Sequence, residues 1–138
     1  MRRCLSVTVF LVIALLSITA TAGESTKTVS LTAKEFLFAP NTMTFKVGQR
    51  VAIRLTNRGT MDHEFISPLL KEAKDVEVKA AGVKVEGEIE EVEVERGHAA
   101  TIEFTPTKAG TFDFWCGEKL KGKLHRDLGM KGTITVTR

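Results

Sequence analysis

Cys116, His125 and Met130 follow one another with eight and then four residues between them, so a thiol, an imidazole and a thioether share one short stretch. Soft donors of this kind favour copper over zinc, magnesium or calcium. A second imidazole would complete the set. His63 can supply it from the segment Asn57-Arg58-Gly59-Thr60-Met61-Asp62-His63-Glu64-Phe65, far upstream, as two strands of a sandwich require. Two histidines, one cysteine and a weak axial methionine make the trigonal site of blue-copper electron transfer, which holds one copper ion.

The cysteine count sharpens this reading. The chain has two cysteines, and Cys4 lies in a segment with the marks of a secretory leader. Met1-Arg2-Arg3 is basic, Leu5 to Ala20 is apolar, and Ala20-Thr21-Ala22 is a small-x-small cleavage signal before Gly23. The apolar run is shorter than the roughly 20 residues that span a bilayer, so residues 1–22 are read as a signal peptide and no permanent membrane anchor is expected. The expected location is periplasmic or secreted. Cleavage leaves Cys116 alone in a compartment where thiols pair. An intermolecular disulfide, a reactive thiol, a buried inert thiol and a metal ligand are the candidate explanations, and the nearby His125 and Met130 favour the last.

Residues 23–138 suit one domain of about a hundred residues. Removing Arg2 and Arg3 leaves 18 of 20 basic residues against 17 acidic ones, so net charge gives no support to nucleic-acid binding. A monomer is expected.

The elements that must position the donors are strands. Val29, Leu31 and Ala33 alternate with polar residues, and so do Val51, Ile53 and Leu55, Val92 and Val94, Ile102 and Phe104, Phe112 and Phe114, and Ile134 and Val136. Turn signals fall between them at Val47-Gly48-Gln49, Asn57-Arg58-Gly59, Arg96-Gly97-His98, Lys108-Ala109-Gly110 and Lys131-Gly132. The pattern is that of an all-β sandwich. Phe112, Phe114 and Cys116 share one parity, which sends the thiol to the buried side.

Leu69, Leu70, Ala73 and Val76 sit at helical spacing after Pro68, which predicts a short helical or irregular insertion over 68–81. The glutamates from Glu86 to Glu95 around Ile89, Val92 and Val94 read as a solvated strand face. His98 has no donor partner at ligand spacing and is a turn residue, while Met43 and Met61 are packing residues.

Glu35-Phe36-Leu37-Phe38-Ala39-Pro40-Asn41, Val47-Gly48-Gln49, Asn57-Arg58-Gly59 leading to His63-Glu64-Phe65, and Phe104-Thr105-Pro106-Thr107-Lys108-Ala109-Gly110-Thr111-Phe112-Asp113-Phe114-Trp115-Cys116 together resemble a cupredoxin. The likeness covers most of the chain beyond the leader and is weakest from Leu69 to Glu91. It implies a cupredoxin-like Greek-key β-sandwich, with the family's four ligands falling on His63, Cys116, His125 and Met130. It also implies that His125, on the ligand loop, is the solvent-edge port for electrons. Two departures stand out. The loop between cysteine and histidine is longer than in small cupredoxins and is similar to that of the type 1 site in copper nitrite reductases. Glu64 also occupies the place where the family often has an asparagine that braces the loop.

These readings predict an exported, single-copper electron carrier and not an enzyme, because catalytic copper centres need more imidazoles than the spare His98. A periplasmic copper-binding protein for copper delivery or resistance is the alternative, and an apo β-sandwich interaction module is a third. Around His125, Lys119, Lys121, Lys123, Arg126 and Lys131 outnumber Glu118 and Asp127, which predicts redox partner proteins with an acidic docking surface.

Overall fold

Apolar residues at every second position form strands that bury one face. In the computed structural model, which describes residues 25–138, they build two facing sheets. The leader expected over 1–22, with Cys4, lies outside the described residues. The strands are β1 (Lys27–Lys34), β2 (Leu37–Ala39), β3 (Thr42–Lys46), β4 (Val51–Asn57), β5 (His63–Ile66), β6 (Ala73–Ala80), β7 (Val83–Glu86), β8 (Glu91–Val94), β9 (Ala99–Pro106), β10 (Gly110–Trp115), β11 (Lys119–Leu120), β12 (Lys123–Leu124) and β13 (Lys131–Thr137). Sheet I runs β2-β1-β4-β9-β6-β7 and sheet II runs β3-β13-β10-β5-β8, while β11 and β12 form a separate hairpin. Pairing is antiparallel except for β1 with β4 and β3 with β13. Neighbours in each sheet are mostly distant in sequence, as the expected all-β cupredoxin-like sandwich requires.

Leu31, Ile53, Leu55, Ile102 and Phe104 from sheet I and Phe65, Phe114 and Ile134 from sheet II have no exposed surface and form the shared core. Each such side chain contributes about 1.5 to 3 kcal/mol by leaving water. Phe38, Phe65 and Phe114 group together, with ring centroids 5.2 Å apart for Phe38 and Phe114 and 5.4 Å for the stacked Phe65 and Phe114.

The insertion expected over 68–81 contains one 3-10 turn, Pro68–Leu70, followed after two turn residues by strand β6. Ser67 caps the turn by accepting from Leu69 N–H, and its hydroxyl donates to Asp113 O at 2.8 Å. The helical spacing has a physical origin. Lys74 pairs with Thr105 and Glu77 with Glu103, so β6 carries one more residue than β9 between the two pairs. Asp75, with φ of 54°, lies in this bulge. One extra residue stretches the step from Ala73 to Val76 to three, while Leu69 and Leu70 belong to the 3-10 turn.

Lys131 and Gly132, expected as a turn, instead begin β13. Within the acidic run Glu86 ends β7 and Glu91–Val94 forms β8, with Glu91 and Glu93 exposed and Val92 and Val94 buried. No helix among the described residues is long and apolar enough to cross a membrane.

Candidate metal centre

Three adjacent strands of sheet II bring the upstream and downstream residues together. Because β5 and β13 both run antiparallel to β10, the start of β5, the end of β10 and the start of β13 lie at one edge. His63 opens β5, Cys116 follows β10 and Met130 precedes β13. His125 enters from the connection between β10 and β13, at the start of the 3-10 turn His125–Leu128.

The spatial result is a buried donor cluster. Donor atoms of His63, Cys116 and His125 all lie within 4.8 Å of one another. Cys116 Sγ is 3.8 Å from His63 Nδ1 and 3.4 Å from His125 Nδ1, so both rings turn the same nitrogen toward the sulfur. His63, Cys116 and Met130 have no exposed surface and His125 is 1% exposed. Met130 is tied to this group through its backbone: Cys116 N–H donates to Met130 O at 3.1 Å and Met130 N–H to His125 O at 3.0 Å. His125 N–H donates to Glu118 O and Arg126 N–H to Cys116 O. Phe114 is buried like Cys116, as parity requires, while Phe112 is half-buried.

The eight residues after Cys116 fold back on themselves. Lys119 pairs with Leu124 and Leu120 with Lys123, with Lys121 and Gly122 at the tip in left-handed conformations. Lys119, Lys121, Lys123, Arg126 and Lys131 are exposed.

Hydrogen bonds hold the His63 arm. Asn57 is buried, donates from Nδ2 to Met61 O and Val94 O at 2.8 Å each, and accepts from Gly59 N–H at 2.9 Å. Asp62 accepts from Arg96 N–H at 2.8 Å. The Glu35 carboxylate accepts from Thr60 N–H, from Met61 N–H at 3.1 Å and from Thr60 Oγ at 3.2 Å. Gly59 makes this approach possible, since a Cβ there would lie 2.8 Å from His63 Nε2 and closer still to Glu35 Oε1.

Glu64 braces the ligand loop in its own way. Its N–H donates to Cys116 Sγ at 3.3 Å, and its carboxyl takes the Gly117 N–H. Burial, then the charges of Glu118, Glu91 and Glu93, push this carboxyl above the usual range. Gly117 leaves room for this contact, since a Cβ would lie 2.6 Å from Glu64 Oε2 and 2.7 Å from Ile66 Cδ1.

The protonation chemistry fits a metal ligand better than a nucleophile. Burial pushes the Cys116 thiol up, only partly offset by the N–H groups of Glu64 and Glu118. A bound cation would favour the thiolate here, whereas reactive cysteines have depressed values. Burial, then the nearby His125, lowers the His63 value, which favours the neutral imidazole a metal requires. Cys116 is the free cysteine of the described residues, and its burial disfavours an intermolecular disulfide.

One residue stands differently from the sequence expectations. His125 is covered, with the Phe36 ring edge-on at 4.9 Å between centroids, and so is not at the solvent edge. Glu35 and Phe36 were legible only as parts of the resemblance, because their contacts with the two histidines span distant segments. His98 is exposed in the turn after β8, with Nδ1 3.2 Å from Arg96 O, outside the donor cluster. Met43 is in the core and Met61 is half-buried in the His63 loop.

Comparison with known proteins agrees with this geometry. The cupredoxin-like domain family matches residues 7–136. Among solved structures, an auracyanin from Roseiflexus castenholzii aligns with a TM-score of 0.59 at 22% identity, over 84% of this chain and 100% of that one. Auracyanin A, a "blue" copper protein from Chloroflexus aurantiacus, aligns with a TM-score of 0.53 at 20% identity, over 81% and 99%. A multicopper oxidase from Campylobacter jejuni aligns with a TM-score of 0.61 at 16% identity, over 95% of this chain but 34% of the oxidase. The chain thus spans about a third of that oxidase, and at these identities the likeness is one of fold. No curated protein matches the sequence.

Proposed function

Since the chain belongs to the cupredoxin-like family, whose chemistry together with a thiol between two imidazoles points to one copper ion, we propose that it is an exported single-electron carrier. The observation that carries this reading is the convergence of His63, Cys116 and His125 in a fully buried site. These three would hold the metal with Met130 as a weak fourth donor, and copper there would supply a Cu(II)/Cu(I) couple.

The remaining roles belong to the chain. Both histidines present Nδ1 to the site, so no ring flip is needed to ligate. The Glu64 N–H aimed at Sγ draws electron density from the sulfur and favours the reduced state. Backbone bonds among Cys116, His125 and Met130 restrain ligand movement between oxidation states. The lysines of the β11–β12 hairpin, with Arg126 and Lys131, form the basic surface for an acidic redox partner. Docking there weakens as salt screens the charges. Residues 1–22 serve as the export signal. The spare His98, exposed and hydrogen-bonded to a turn, does not supply a second copper centre, so a carrier is favoured over an oxidase.

The test is the visible spectrum of residues 23–138 with Cu(II), beside Cys116→Ser. An intense thiolate-to-copper band in the natural sequence, absent from the variant, is the expected result. A colourless protein that binds copper and passes it to an acceptor would replace the carrier with a delivery protein.

A further inference from the structure

The turn between β1 and β2 provides none of the donors, yet its two residues contact both histidines. Glu35 Oε1 lies 3.7 Å from His63 Nε2, and Phe36 packs against the His125 ring. Both Nε2 atoms are buried and neither has a hydrogen-bond partner among the described residues. Adjacent residues therefore give the two imidazoles opposite surroundings, a carboxylate for one and an aromatic ring for the other.

We propose that Glu35 is a positioning residue for His63, keeping the ring proton on Nε2 so that Nδ1 faces the metal, and favouring the oxidised copper through its charge. The inference rests on the copper reading above. A carboxylate facing the far nitrogen of a metal-bound histidine fixes its tautomer and raises its basicity. Glu35 cannot itself be a ligand in this arrangement, because it faces Nε2 while Nδ1 faces Cys116 Sγ. At 3.7 Å the contact is longer than a hydrogen bond, but Coulomb energy falls only as the inverse of distance and acts without contact.

Glu35 is also well fixed. Two backbone N–H groups and the Thr60 hydroxyl converge on the same Oε1 that faces His63. Gly59 leaves the space between carboxylate and ring free of a side chain. A neutral amide oxygen could accept the same hydrogen bonds, so clamping the loop does not require a charge. The charge is the part left for the metal site.

Glu35→Gln keeps the acceptor oxygen and removes the charge. In the copper-loaded protein, a spectrophotometric redox titration is expected to show the preference for Cu(II) over Cu(I) falling about tenfold. That is a rise of about 59 mV for a one-electron couple. Glu35→Asp, which keeps the charge but withdraws it by one methylene, should give a smaller rise. In parallel, nitrogen NMR of His63 in the zinc-loaded and metal-free protein should find the proton on Nε2, exchanging with water at least about tenfold faster in Glu35→Gln. An unchanged potential and an unchanged Nε2 proton in a folded Glu35→Gln would overturn the inference and leave Glu35 as a loop clamp. If Glu35→Gln does not fold, a metal-free natural protein with the His63 proton on Nδ1 would overturn it instead. If the natural protein shows no blue band, the carrier reading fails while the His63 signal still decides the role of Glu35.

Discussion

The two sheets reach the metal end in different ways. Sheet II supplies donors from three neighbouring strand ends, and the Cys116, His125 and Met130 backbones are bonded to one another across the loop that joins them. Sheet I and its connections supply no donor to this cluster. Its β1–β2 turn places Glu35 and Phe36 against the rings, and Asn57 at the end of β4 reaches Met61 O in the His63 loop and Val94 O in β8. One side would bind the metal through three groups close in sequence and the distant His63, while the other shapes the site through contacts that cross the sandwich. Ligand identity and ligand environment are thus held by different parts of the chain and can be perturbed separately.

Removing Asn57 is the strongest challenge to that division. Asn57→Ala leaves Met61 O, Val94 O and Gly59 N–H without this partner, at a cost of about 3 kcal/mol for three largely buried bonds. Urea unfolding of the metal-free protein should show it, and the copper band should broaden as His63 loses its fixed approach. A sharp, unchanged band would mean that the His63 arm does not depend on sheet I.

Gly59→Ala is next. Its Cβ would intrude between Glu35 and His63, and overpacking of this kind costs about 2 kcal/mol. The matched change in the other region is Gly122→Ala, where nothing lies within 4 Å but φ is +82°. Backbone strain there costs about 1 kcal/mol, and the copper spectrum should not move. Equal spectral effects from the two glycines would erase the distinction between the regions.

The smallest effect is expected away from the metal. The Lys79 hydrogen bond, with help from Arg50, holds the Glu103 carboxyl below its usual range. A carboxylate lowered by folding stabilises the protein above the ordinary carboxylate range, and that contribution is lost as pH falls through the lowered value. Glu103→Gln should cost about 0.5 kcal/mol at neutral pH and nothing in acid, with the copper spectrum unchanged. Thermal melts at the two pH values would check the sign.

The same division explains what could be read in the sequence. Cys116, His125 and Met130 were visible because their spacing is local, and β1, β4, β9, β10 and β13 because their apolar residues alternate. Strand β6 was obscured by one bulged residue at Asp75-Val76, and the β11–β12 hairpin by its two-residue strands. Asn57, Glu35 and Phe36 carry no local signature of their roles. A backbone hydrogen bond across the sandwich or an aromatic edge over a ring becomes apparent only once the sheets are assembled.

The ligand loop folds into a hairpin whose Lys121-Gly122 tip adjoins open space. Residues could be added, deleted or exchanged there without disturbing Cys116 or His125, because the hairpin closes below the tip. Under the proposed function, partner choice could then drift in descendants of this chain while the geometry of the candidate metal site stays constant. A designer seeking a new docking specificity would have a graft point already separated from the candidate metal centre.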